Sequence, residues 1–236
     1  MKRNISVFSI FSFVLAITFS CKDDVVVAPV SNLYFDYYPI DTGYWIEYSV
    51  DSIVHLDNDD ILLIDTSKSI YHFFIQEHID SSFIDGEGQK AMVVSRYKRD
   101  ADTLPWVFST LWTSKVTNSS LQRIEDNRRY VRLSFPFSPI AKWNGNAYNE
   151  LAAEEYSYEE IYSPAIYSTL TFDSTVTVDQ NKFYSNINRI VKKEVYANHV
   201  GLIYKILDSV GVANTTNGQI ILSGLEYRQT VINYKH

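Results

Sequence analysis

Alternation of apolar and polar residues, repeated along much of the chain, is the feature that most restricts its fold. Ile46, Tyr48 and Val50 alternate with Glu47 and Ser49. The same period of two recurs in two later segments, 128–137 and 225–231. Because successive side chains of a strand point to opposite faces, the pattern predicts an antiparallel sheet with one buried and one solvent-exposed face. Eighteen Tyr and thirteen Phe favour the same structure.

Turn-forming residues separate the predicted strands. Residues 85–88, 125–127 and 214–218 are rich in Gly, Asp and Asn and each lie between two apolar segments, so we predict three strand connections there. Gly224, inside the last apolar segment, predicts a β-bulge. Residues 136–145, which begin with Pro136, predict a crossover between two parts of the sheet.

Helix signals are scarce. Residues 149–161 allow one short helix, although Tyr156 and Tyr158 alternate with polar neighbours and favour a strand in the second half. We therefore predict an all-β fold, an antiparallel and strongly curled sheet, half-barrel or sandwich with at most one or two short helices. Residues 34–236 are expected to form it as a single domain. The alternation in 128–137 places Arg132 on its solvent-exposed face.

Residues 1–20 have the layout of a secretory signal peptide, with a basic start, an apolar run over 5–19 and an end just before Cys21. The run is too short for a comfortable membrane span, which needs about 20 apolar residues. The segment resembles a bacterial lipoprotein signal. The resemblance implies cleavage before Cys21, the only cysteine, which then carries diacylglycerol and fatty acyl chains such as palmitate. Residues 21–33 would form the lipidated N-terminus and a flexible tether; cleavage without lipidation is the alternative.

Lys22, Asp23 and Asp24 follow the cysteine at once. This triplet resembles the surface-export signal of Bacteroidota lipoproteins. The resemblance implies an outer-membrane protein displayed on the cell surface, with the periplasmic face of that membrane as the alternative location.

The net charge limits the classes of partner. The formal charge is −7, and loss of residues 1–20 removes two basic groups and no acids, which gives −9 for the mature chain. An acidic domain of this kind repels phosphates, so we expect no nucleic-acid partner. Docking on anionic lipid through a basic patch is disfavoured for the same reason. Membrane attachment is expected through the N-terminal lipid alone.

Three stretches, residues 38–48, 142–149 and 194–205, resemble motifs of uncharacterised Bacteroidota outer-membrane and surface lipoproteins. Each combines aromatic residues with a glycine, as in Pro39 to Trp45. The resemblance implies an antiparallel β domain, such as a curled half-barrel, and no known activity. His199 stands where the group usually has glycine, which argues against a tight left-handed turn there.

Motifs for catalysis or metal binding are not found in the sequence. There is no nucleophile elbow, no P-loop and no dinucleotide-binding glycine pattern. The acidic run 57–60 lacks the spacing of a calcium loop, since its twelfth position would be Lys68. We therefore expect that the protein is not an enzyme and that it needs no metal or cofactor.

Two kinds of candidate site remain. Trp106, Trp112 and Trp143 could form an aromatic platform for a glycan, and an apolar cavity inside a curled sheet could hold an apolar ligand. Four Asp-Ser/Thr-apolar triplets match the pattern that Bacteroidota use for O-glycosylation. The candidate acceptor residues are Ser52, Thr103, Ser174 and Ser209.

These observations predict a lipid-anchored envelope protein whose β domain binds an apolar, glycan or protein ligand without catalysis. The alternative is a structural or interaction subunit of a surface complex without a small-molecule pocket. A deep pocket would favour the first hypothesis and a flat apolar patch the second.

Overall fold

The computed structural model describes residues 34–56, 67–216 and 218–235. Within them the helical structure is one turn of 3-10 helix, over Phe35–Tyr37. The remainder is dominated by twelve strands. They are β1 (Trp45–His55), β2 (Lys68–Ile84), β3 (Lys90–Arg99), β4 (Val107–Val116), β5 (Ser120–Glu125), β6 (Arg128–Ser134), β7 (Lys142–Asn144), β8 (Glu155–Tyr167), β9 (Leu170–Tyr184), β10 (Asn188–Ala197), β11 (Gly201–Thr215) and β12 (Gly218–Lys235).

All twelve strands form one sheet in the order β6-β5-β4-β3-β2-β1-β12-β11-β10-β9-β8-β7. Every neighbouring pair is antiparallel. Neighbours are consecutive in the chain except β1 and β12, so two meanders are joined where the first and last strands pair. This confirms the predicted all-β antiparallel fold.

The two edge strands, β6 and β7, approach each other and nearly close the sheet into a barrel-like shape. Arg129 in β6 forms an isolated antiparallel bridge with Tyr148. Val131 N donates to Gly145 O at 2.9 Å. Trp143 Nε1 donates to Val131 O at 3.0 Å. The chain segment that connects β6 to β7, residues 135–141, overlaps the predicted crossover, residues 136–145.

The predicted turns connect strands as expected. Residues 85–88 lie between β2 and β3, and Asp85 Oδ1 accepts bonds from Glu87 N and Gln89 N, each at 2.9 Å. Asp126 and Asn127 join β5 to β6 with φ of 49° and 64°. Positive φ at both residues is the geometry of the two-residue turn that best matches strand twist, and Asp and Asn tolerate it.

The short helix that residues 149–161 allowed does not form. β8 begins at Glu155 and buries Tyr156 and Tyr158, as their alternation favoured. The prediction of a bulge at Gly224 is wrong: the bulge of β12 next to it lies between Ile221 and Ser223, opposite Gly211 and Val212 of β11, and Gly224 remains paired. The signal peptide, the tether and the acidic run 57–60 lie outside the described residues.

The β10–β11 turn adopts the left-handed backbone despite its histidine. His199 has φ of 62°, and its N–H donates to Asp36 O at 2.6 Å. Histidine is among the residues that tolerate this region, and the tertiary hydrogen bond holds it there. Gly201 starts β11 with φ of 93° and lies close to Pro39. A Cβ added to Gly201 would be 2.8 Å from Pro39 Cδ. A side chain at this position would therefore clash with Pro39.

An aromatic cluster joins the start of the domain to the β6–β7 link. The ring of Phe137 meets those of Tyr34 and Tyr37 edge to face, with centroids 5.6 and 5.0 Å apart. Phe35 meets Phe135 in the same way at 5.4 Å. Such contacts add to the stabilisation from apolar burial, so the first residues of the domain are held inside the curled sheet.

Candidate functional site

A cavity of about 190 Å³ lies on the concave side of the sheet. Seven strands, β2 to β5 and β10 to β12, contribute to its wall. The wall combines charged and apolar side chains. The lining residues are Glu77, Arg96, Trp112, Arg123, Glu125, Glu194, Leu202, Lys205, Leu207, Leu225, Tyr227 and Gln229.

The charged side chains belong to a network that we call the ionic cluster, made of Glu77, Arg96, Arg123, Glu125, Arg132, Glu194 and Lys205. Glu77 joins two of its arginines. Glu77 Oε1 lies 3.0 Å from Arg96 Nε, and Glu77 Oε2 accepts from Arg123 Nη2 at 3.0 Å. Because each carboxylate oxygen contacts a different arginine, Glu77 of β2 connects β3 and β5 to its own strand in the interior of the curled sheet.

Arg132 links the two halves of the sheet. Its Nη2 donates to Glu125 Oε2 at 2.7 Å, and its Nη1 lies 3.5 Å from Glu194 Oε1. Lys205 Nζ lies 3.0 Å from the same oxygen of Glu194. In sheet order β6 and β10 are separated by seven other strands, so strong curling alone brings Arg132 to Glu194.

Two carboxyl groups of the cluster, those of Glu125 and Glu194, stay ionised at neutral pH. Burial opposes ionisation of Glu125 and Glu194, but the attraction of nearby cations, Arg132 foremost, outweighs it and lowers the pKa of both carboxyls. Burial also raises the pKa of Tyr196, whose hydroxyl donates to Glu194 Oε2 at 2.6 Å. Carboxylates held in this way accept hydrogen bonds and offer no proton near neutral pH.

Trp112 contacts two guanidinium groups of the cluster. The guanidinium carbon of Arg96 is 3.7 Å from the ring centroid, and that of Arg123 is 4.9 Å away. Cations over an indole face are attracted by its quadrupole. These contacts hold the indole against the ionic cluster in the cavity wall.

Gln229 carries an unused donor at the cavity wall. The residue is 3% exposed, and its Oε1 accepts from the Tyr227 hydroxyl at 2.8 Å. Its Nε2 has no hydrogen-bond partner among the described residues. Burial raises the pKa of Tyr227 to about 12, against the attraction of Arg96, so that hydroxyl keeps its proton. An unpaired buried amide costs free energy, and the described protein groups leave this donor unused.

The three candidate platform tryptophans do not lie together. Trp112 lines the cavity, whereas Trp106 packs under Arg99, whose guanidinium carbon is 4.3 Å from the ring centroid. Trp143 packs on Tyr158 at 4.8 Å between centroids, near the sheet closure. The structure therefore does not bring the three tryptophans of the predicted platform together, and of the three Trp112 lines the cavity.

The four candidate O-glycosylation residues differ in accessibility. Thr103, in the β3–β4 connection, and Ser209, in β11, are exposed. Ser52 and Ser174 are half-buried, and Ser174 Oγ lies 2.6 Å from the hydroxyl of Tyr37. An oligosaccharide transferase needs an accessible hydroxyl, so Thr103 is the most favourable acceptor of the four by position.

Alternation alone misplaced the central residue of the site. Arg132 was expected on a solvent-exposed face, but it is 6% exposed, because its side chain pairs with Glu125 and Glu194 inside the curled sheet. Glu77, Glu125 and Glu194 were not singled out either. The available signal was charged residues inside strand patterns, namely Arg123 and Glu125 at alternate positions of one short strand.

Among the described residues, no group of three or more His, Cys, Asp or Glu side chains is placed to hold a metal ion. The same residues include no helix with the length and apolar character needed to cross a membrane.

Comparison with known proteins finds similarity only at the level of structure. No family model and no curated protein matches the chain. Among solved structures, a protein from Bacteroides fragilis, described as exported and with a YmcC-like fold, is 10% identical with a TM-score of 0.48. A protein from Parabacteroides distasonis, described as a lipoprotein, is 9% identical with a TM-score of 0.43. Each match covers 84% of this chain and 98% of the other. At these values neither likeness assigns a family, a location or an activity.

Proposed function

We propose that this chain is a lipid-anchored protein of the bacterial outer membrane whose β domain binds a small ligand in the cavity, without catalysing its conversion. The observation that carries the binding role is the cavity wall, where a buried ionic cluster, apolar side chains and the unpaired Gln229 Nε2 meet. Concave sites with few convergent polar groups are typical of small-molecule binding.

Size restricts the ligand. An apolar protein cavity of about 150 Å³ accepts one benzene molecule. The volume of about 190 Å³ is therefore suited to a single ring with one small substituent. Larger glycans and long acyl chains do not fit within this volume, so among the expected ligand classes we favour a small amphipathic molecule.

The ionisation of the cluster supports binding rather than catalysis. General acid–base chemistry needs a group whose pKa lies near the working pH. The lowered pKa of Glu125 and Glu194 and the raised pKa of Tyr227 keep these groups in one protonation state near neutrality. Such groups recognise charge and hydrogen-bonding pattern but do not exchange protons with a substrate.

Ligand binding is tested by titrating single-ring compounds into the full-length protein. The NMR signal of the Trp112 indole reports on the cavity, and Trp112→Phe assigns it among the four tryptophan signals. We expect at least one compound to shift this signal in a saturable way while the signals of Trp45, Trp106 and Trp143 stay in place. A panel of charged and neutral rings that leaves Trp112 unmoved contradicts the binding role.

The membrane anchor is proposed from the sequence around Cys21. Two or three acyl chains give stable attachment, whereas one holds only weakly. Replacing Cys21 with serine removes the thioether, so we expect the variant to move from the detergent phase to the aqueous phase in detergent partitioning. Lys22→Ala is the matched control, since it leaves the acylated residue intact. Equal partitioning of Cys21→Ser and the parent would refute the anchor.

Display on the cell surface is the proposed orientation, supported by Lys22, Asp23 and Asp24 after the cysteine. The periplasmic face of the outer membrane is the alternative. Protease treatment of intact cells separates the two, because only a surface-displayed domain is accessible to the enzyme.

Exposed apolar side chains near the start of β4 favour the second candidate function, an interaction subunit of a surface complex. Leu104, Val107, Phe108 and Leu111, in β4 and the connection before it, are between 49% and 63% exposed. Exposed apolar surface often marks a protein interface where it is contiguous. This candidate becomes the leading one if the Trp112 titration is negative.

A further inference from the structure

We propose that the ligand of the cavity is a small monoanion, a carboxylate carried by a single ring or a short apolar group. This inference rests on the proposed binding function and adds the charge and polarity of the ligand. Three features of the wall support it: the charge balance of the ionic cluster, the position of its accessible donors and the apolar residues that line the cavity with them.

Among the described residues, the ionic cluster holds one more cation than anions. Arg96, Arg123, Arg132 and Lys205 face Glu77, Glu125 and Glu194, which leaves one positive charge in excess within this part of the chain. An uncompensated charge in a poorly solvated interior is unfavourable. One bound carboxylate would neutralise the cluster, whereas a dianion would exceed the excess and a cation would add to it.

Two of the four cations retain access from the cavity. The side chains of Lys205 and Arg96 are 20% and 14% exposed, whereas those of Arg123 and Arg132 are 2% and 7% exposed. Both accessible cations line the cavity together with Gln229. A carboxylate accepts several hydrogen bonds at once, and bonds to charged donors are the stronger ones. Lys205, Arg96 and the free Nε2 of Gln229 together match that acceptor.

The apolar residues of the wall account for the body of the ligand. Trp112, Leu207 and Leu225 line the same cavity as the donors. Removing an apolar ring from water favours its burial there, by roughly 25 cal/mol per Å² of apolar surface. An inorganic anion would satisfy the charge but leave this surface uncovered, so an organic acid fits better.

Benzoate is the probe that tests the inference, because it combines one ring with one carboxylate. Titrated into the full-length protein, it should shift the Trp112 indole signal in a saturable way. Benzyl alcohol and benzylamine have the same ring and a neutral or cationic head, and we expect each to bind at least about tenfold more weakly, since a charge-assisted hydrogen bond is lost.

Gln229→Leu tests the proposed donor within the site. The change removes the free amide and preserves the approximate size, so benzoate affinity should fall about tenfold. Gln180→Leu is the matched control. Gln180 is 4% exposed and also has an Nε2 without a partner among the described residues, but it does not line the cavity. Its replacement should leave benzoate affinity unchanged.

The outcomes separate this inference from the proposed function. If benzyl alcohol binds as tightly as benzoate, or if both glutamine variants bind benzoate like the parent, the anion inference is overturned and ligand binding stands. If none of the three compounds moves the Trp112 signal, both are overturned. The comparison of probes uses the parent protein, so it holds even if Gln229→Leu folds poorly.

Discussion

Arg132→Met is expected to destabilise the domain by about 3–5 kcal/mol, the cost of breaking a buried ion pair by removing one partner. Arg132 is buried, and it is shared between Glu125 and Glu194 from opposite halves of the sheet. Methionine fills much of the same volume but leaves both carboxylates with fewer cations. Chemical denaturation of the parent and the variant at pH 7 measures the difference in unfolding free energy.

The pH dependence distinguishes lost charge pairing from lost packing. The pKa of Glu125 is lowered in the folded state by Arg132 and other cations, against burial. Its contribution to stability is therefore complete above the ordinary carboxyl pKa of about 4.3 and is lost as the pH falls toward the lower folded-state value. The difference in unfolding free energy between parent and variant should therefore become smaller as the pH falls below the pKa of an ordinary carboxyl group. A gap independent of pH would assign the loss to packing alone.

Arg128→Met is the matched control for Arg132→Met. Arg128 lies on the same strand and pairs with Glu150, but both side chains are well exposed. Solvent screens such pairs, so the change in unfolding free energy should be much smaller. Equal effects of the two substitutions would contradict a special role for the ionic cluster.

Gly224→Ala is expected to destabilise the domain by about 3 kcal/mol or more, because steric overlap adds to backbone strain. Gly224 has φ of 110° and pairs with both His55 of β1 and Val210 of β11. A Cβ at this position would lie 2.2 Å from Ser209 O and 2.8 Å from Val210 Cα. Backbone atoms in paired strands cannot move away cheaply, so thermal or denaturant unfolding should show the loss.

Gly218→Ala separates the two contributions. Gly218 has φ of 114°, close to that of Gly224, but a Cβ there would meet no atom of the described residues within 4 Å. Its replacement introduces only the backbone strain, which costs about 1–2 kcal/mol. If both alanine variants lose the same stability, the close approach at Gly224 has no energetic weight.

Local patterns predicted the strands and most of their connections. Burial of Ile46, Tyr48 and Val50 follows from the period of two, and the turn at Asp126 and Asn127 follows from residues that tolerate positive φ. Both are short-range effects, set by backbone geometry and by side chains a few residues apart. The left-handed turn at His199 was missed because a hydrogen bond to Asp36, distant in the chain, supports it.

The candidate site could not be predicted in the same way. Arg132 and Glu194 meet only because twelve strands curl until β6 approaches β10, and their sequence neighbours contain no trace of that contact. A charged residue in an alternating strand is normally solvated, and only a partner supplied by a distant strand makes its burial favourable.

By itself, the sequence determined the strand pattern, the turns and the all-β class, since these depend on local geometry and on the separation of apolar from polar residues. The closed curvature, the identity of the buried charges and the cavity beside Trp112 were decided only by the tertiary structure. Their physical origin is long-range: paired charges and an unpaired amide acquire their energies from groups that the chain brings together only on folding.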